Sequence, residues 1–146
     1  ALQRSEETDG PAAAMELDDG TIVTGKTTDL LGASAALLLN ALKILAGIDH
    51  KKKVISPAAI RPIQKLKTEY LGSRNPRLHT DEVLIALSTS AENNPDAQAA
   101  LAQLPKLAGC QVHTSVLLSS VDIKTFKRLS IQFTSEPVYE SKRIYH

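Results

Sequence analysis

Three features of the sequence predict an α/β fold, a three-layer α/β/α sandwich around a small mixed sheet. Short β-branched stretches alternate along the chain with segments of helical apolar period, the order that lays helices onto a sheet. One long segment, residues 30–48, is apolar on nearly every side and so demands an interior position. The 146 residues are enough for one core, and with 42% hydrophobic and 3% aromatic residues that core must be aliphatic.

Residues 1–13 carry Glu6, Glu7, Asp9 and a Gly10-Pro11 breaker without any apolar period, so they read as a flexible polar arm before a single domain over residues 14–146. Met15 to Leu17, the turn residues Asp18, Asp19 and Gly20, and Thr21 to Val23 have the form strand, turn, strand. Thr28 or Asp29 is the natural N-cap of the long helix, whose first half is apolar all round. In its second half Asn40, Lys43 and Gly47 mark one wet stripe. Val54-Ile55 reads as a brief buried strand, and Ser56-Pro57 opens a helix with Ile60, Ile63, Leu66, Tyr70 and Leu71 on its apolar face. Thr80 opens a further helix through Val83, Leu84, Leu87 and Ala91, and Asn94-Pro95-Asp96 starts another through Leu104. Residues 111–119 alternate as a strand that suits a central position, Ser120 caps a short helix with Phe126, and residues 131–134 form a last strand before a polar tail.

Composition narrows function by exclusion. Seventeen Lys and Arg against sixteen Asp and Glu, with no Trp, provide neither a basic field nor stacking platforms, so no nucleic-acid partner is expected. Residues 30–48 are long enough to span a bilayer, but Asn40, Lys43 and the lack of an aromatic belt speak against a membrane helix. Cys110 is the only cysteine, and the first residues have no signal-peptide pattern, so a cytoplasmic location is expected. No cofactor is expected.

Residues 20–27, GTIVTGKT, match the letters of the phosphate loop G-x-x-x-x-G-K-[ST]. In a working loop a strand ends before the first glycine, and the residues between the glycines curl toward the phosphates. Here Asp18-Asp19 precede Gly20, and Thr21 to Thr24 suit a strand, which places Gly20 in a turn and Gly25 at a strand-to-helix bend. A weaker expectation survives, that Gly25, Lys26, Thr27 and Thr28 hold a phosphate or carboxylate at the start of the long helix. A second cluster, Arg74, Arg77 and His79 ahead of Asp81 and Glu82, is able to grip an anion or move a proton, or else is a solvated loop before an acidic helical turn. His79 and Asp81 are two residues apart, which is not a helical metal-ligand pair. Cys110 and His113 fall on opposite faces of a strand, and residues 115–120 hold no G-x-S-x-G elbow. The basic turn at residues 50–53 is a solvated turn or a dock for an acidic partner.

The runs GTIVTGKTTDLLGASAALLLNALKILAGIDH, NPRLHTDEVLIAL, QLPKLAGCQVHTSVLLSSVD and YESKRIYH closely resemble the C-terminal part of a bacterial family known as domain of unknown function 1846. The resemblance implies a cytidine-deaminase-like layout and a chain that is the C-terminal part of a longer protein, whose earlier region carries its own GSGK-type phosphate loop. Deaminase chemistry does not follow, because the zinc-binding H-x-E and P-C-x-x-C elements are missing. Two functions stay open. One is a non-catalytic packing or assembly domain whose partner is the remainder of its own chain, with homo-oligomer formation as a further possibility. The other is part of an active site in which Lys26, Thr27, Arg74, Arg77 and His79 converge on a phosphorylated or carboxylated small molecule.

Overall fold

A computed structural model describes residues 12–115 and 118–135. Strands β1 (Ala12–Glu16) and β2 (Ile22–Lys26) form the expected hairpin, with Gly20 at φ +88° in its turn and the Leu17 amide donating to the Thr21 carbonyl at 2.9 Å. Helix α1 spans Ala33–Leu45, and α2, Pro57–Lys65, runs on into a π-helical turn, Leu66–Tyr70. Helices α3 (Thr80–Ser90) and α4 (Pro95–Leu101) follow, then a 3-10 turn at Leu104–Leu107, strand β3 (Gln111–Thr114), helix α5 (Ser120–Arg128) and strand β4 (Gln132–Ser135). The sheet order is β2-β1-β3-β4, with β1 antiparallel to both neighbours and β3 parallel to β4. This is an α/β fold on a small mixed sheet; β3 holds an inner position, as its sequence predicts, but ends at Thr114 instead of running on to residue 119, with residues 116 and 117 outside the described residues.

Alternation along the strands sends Ala13, Met15, Val23, Val112 and Thr114 to a buried face, while Glu16, Ile22, Gln111, His113, Gln132 and Thr134 are exposed on the other. Helix α1 lies on the buried face, and α5 meets it where the Phe126 and Phe133 ring centroids stand 6.1 Å apart. Helices α3 and α4 then pack on α1, so the described residues supply one sheet layer and one helical layer. The polar arm expected over residues 1–13 yields its last two positions to β1, where Ala13 is fully buried; residues 1–11 lie outside the described residues, as does the tail from 136.

The long helix is shorter than expected. Its N-cap is Gly32, because the hydroxyl of Thr28 is spent on a turn before it, accepting from the Leu30 and Leu31 amides at 3.2 and 3.0 Å. Residues 34–38 are buried on every side, as the apolar circumference requires. Its rear differs, because Lys43 is buried and donates from Nζ to the His50 carbonyl at 2.7 Å and also to the Lys52 carbonyl. A long aliphatic stem lets a lysine cross apolar surface to reach such acceptors. Burial holds the Lys43 ammonium below the usual lysine range, against the opposing charge of Asp49.

Two further expectations are corrected. Val54 and Ile55 are buried but belong to no strand, and the Asn94 side-chain amide reaches the Val54 carbonyl instead. In α2 the inward face is Ile60, Gln64 and Lys67, at spacings of four and three. Leu66 is 49% exposed, and Tyr70 and Leu71 are each 71% exposed, although the apolar pattern places all of them inside. Position 71 would follow 67 on an α-helical face, but the Leu71 amide bonds back to the Leu66 carbonyl, and this wider winding carries Leu71 outward.

Candidate functional site

Gly25 sits inside β2 rather than at a bend, and α1 crosses directly over it. A Cβ there would stand 2.5 Å from the Leu37 nitrogen and 2.7 Å from the Ala33 carbonyl oxygen, so the glycine is required by close backbone packing. Lys26 ends the strand with an exposed side chain, and Thr27 and Thr28 begin the turn that precedes α1. The letters of a phosphate loop are therefore spread over a hairpin turn, a strand and a second turn. Amides 25–28 are not the first turn of a helix.

The two clusters picked out in the sequence do meet. Arg77 Nε donates to the Thr28 carbonyl at 2.6 Å, Leu31 and Leu78 form a parallel bridge, and the Leu78 amide donates to the Leu30 carbonyl at 2.9 Å. Arg74 stays exposed and His79 takes another role. Beside this junction lies a cavity of about 280 Å³ between the end of β2 and α1, with Lys26, Thr28, Asn40 and His50 around a floor of Leu31, Ala36 and Leu39. Gly25 also lines it, whereas Thr27, Arg74, Arg77 and His79 do not. Its lining contains cationic and neutral donors and no carboxylate. Asn40, which also donates to the Thr24 carbonyl at 3.0 Å, and His50 are among the lining residues that spacing alone did not assign to it. Their sequence signal was faint, a polar break in an apolar helix and the first residue of a basic turn.

A second polar centre lies under the π turn. Lys67 Nζ donates to Glu82 Oε1 at 2.8 Å and to the Arg77 carbonyl at 2.6 Å, and the same Glu82 oxygen accepts the His79 amide at 2.8 Å. His79 Nδ1 is 3.2 Å from that oxygen. Burial raises the Glu82 carboxyl, but the His79 amide and the Lys67 ammonium outweigh it and hold the group below the usual carboxylate range. His79 thus serves the first turn of α3 and does not pair with Asp81, whose carboxylate accepts the Glu82 amide at 2.8 Å.

The same helix start is closed from the far side by Asp122. Its Oδ1 accepts from the Thr80 amide at 3.1 Å and from the Thr80 hydroxyl at 2.8 Å, with Thr80 fully buried. Cys110 is 2% exposed, its thiol lies 3.7 Å from the Lys106 carbonyl, and burial pushes it up, opposite to what a nucleophile needs. Among the described residues no group of three or more His, Cys, Asp or Glu is placed to hold a metal, and no helix is long and apolar enough to cross a membrane.

Residues 1–145 match the family model described as domain of unknown function DUF1846, C-terminal. The chain is 61% identical over 145 residues to a UPF0371 protein of Corynebacterium efficiens and 55% identical over 145 residues to one of Corynebacterium diphtheriae. It is 46% identical over 145 residues to a UPF0371 protein of Streptococcus thermophilus. Each match covers 99% of this chain but 29% of the relative, so the chain spans less than a third of the length of the curated relatives it matches. By match and by coverage, the chain belongs to the DUF1846 family and corresponds to the C-terminal domain of that longer protein.

Proposed function

We propose that this chain is a non-catalytic packing or assembly domain of the longer protein, with any nucleotide chemistry housed in the remainder. The observation that carries this is the use made of buried charge: Lys43, Lys67 and Asp122 are each engaged with backbone groups of neighbouring elements. Their hydrogen bonds hold loops and helix ends, so these buried polar centres maintain the fold. Exposed Ile22, Tyr70, Leu71 and Ile85, each at least 60% accessible, support the assembly side of the proposal. It predicts that the 146-residue chain alone binds a hydrophobic dye and self-associates. A monodisperse monomer with no dye uptake contradicts it.

The cavity lined by Lys26, Thr28, Asn40 and His50 favours a second reading, in which a phosphorylated or carboxylated small molecule binds there. The sequence set Gly25, Lys26, Thr27, Thr28, Arg74, Arg77 and His79 then contracts to Gly25, Lys26 and Thr28 on the wall, with Arg77 behind Thr28. Calorimetric titration of inorganic phosphate and ATP tests it: binding that Lys26→Ala weakens at least tenfold supports the site, and equal heats for both proteins remove it.

A further inference from the structure

The segment formed by α2 and the π turn buries Ile60 in its first half, but its second half is inverted relative to an ordinary surface helix. Its core-facing side carries Gln64, 8% exposed, which donates from Nε2 to the Asp29 carbonyl at 2.9 Å, and Lys67, 7% exposed, held by Glu82 and the Arg77 carbonyl. Its outward side carries Pro62, Leu66 and Tyr70 in one row at steps of four, with Leu71 at the end. The polar side chains are fixed by their bonds, so the row cannot roll inward without stranding a buried ammonium. Gly72, at φ +73°, and the Ser73 amide bonding back to the Lys67 carbonyl at 2.8 Å close the turn and fix Leu71 outside.

We propose that the row Pro62, Leu66, Tyr70 and Leu71 is the surface on which the remainder of the same polypeptide docks, an inference that rests on the packing-domain reading above. One fact selects this occupant over a second copy. The chain is 29% of the length of its relatives, so more than two thirds of such a polypeptide lies outside it and is tethered to it. Within one chain the loss of translational freedom is already met by the covalent link, so a small apolar contact suffices. The docking segment is apolar, and it meets Arg61, exposed on the same helix, with a polar or acidic group, Lys65 being already paired with Glu69 at 3.9 Å.

The test uses the full-length protein, with a benzophenone amino acid at position 70 in one variant and at position 71 in another, made as a mixture of isotopically light and heavy chains. On irradiation most cross-links are expected to join position 70 or 71 to peptides outside these 146 residues, in light-light and heavy-heavy pairs only. Mixed light-heavy pairs overturn the proposal in favour of a second copy. Folded, unlinked protein in both variants overturns it in favour of a free surface. If the 146-residue chain binds dye while positions 70 and 71 give no cross-link, the packing function stands and only this surface is wrong.

Discussion

The Lys67 ammonium stands 2.8 Å from Glu82 Oε1, and this pair, 9% and 23% exposed at the side chains, ties the π turn to the first turn of α3. It explains how a helix with an apolar repeat comes to show that repeat to solvent. A charge-assisted bond across two elements is worth about 1.5–3 kcal/mol, reduced here because Glu82 is partly hydrated. Lys67→Met, which keeps the stem and removes the bonds, is expected to lower stability by about 1–2 kcal/mol in urea unfolding.

The pH dependence of this pair has a definite sign. Glu82 titrates lower in the folded chain than in the unfolded one, so its stabilisation is complete above its unfolded value, near 4.3, and is lost as pH falls through the folded value. Glu82→Gln is expected to cost about 1–2 kcal/mol near pH 7 and progressively less below about pH 4. Unfolding midpoints of both proteins across that range check it.

Gly25 and Gly20 separate two uses of glycine. Gly25→Ala drives a methyl group into the backbone of α1 and is expected to destabilise by about 3 kcal/mol or more, with a large fall in melting temperature. Gly20→Ala meets nothing within 4 Å and suffers only from its φ of +88°, at about 1–2 kcal/mol. Calorimetry of the two variants side by side gives that order.

Asp122 and Thr80 act as one unit across α5 and α3. Asp122→Ala leaves a buried hydroxyl and amide without their acceptor and is expected to cost about 2–3 kcal/mol. A double-mutant cycle with Thr80→Val should return a coupling of about 1 kcal/mol or more.

The hairpin, the buried front of α1 and the central strand were legible because each rests on a local rule: a turn glycine, an apolar circumference and two-residue alternation. The start of α1 was misplaced because Thr28 caps a turn as readily as a helix, and nothing in its neighbours distinguishes the two. The face of α2 was misread because the π turn depends on where Lys67 finds Glu82, fifteen residues on. The meeting of the Thr28 and Arg77 segments was foreseen only as a condition of a shared site, since it takes a contact spanning 49 residues. His50 and Asn40 reach the cavity through tertiary folding, which no motif spacing encodes.

The most direct test compares the 146-residue chain with its Leu66→Ser/Tyr70→Ser variant by light scattering and hydrophobic-dye titration. Those side chains are 49% and 71% exposed, so the melting temperature should stay nearly constant. Self-association and dye uptake should both fall severalfold if the outward row is the packing surface. Unchanged association and dye binding at equal stability would contradict it.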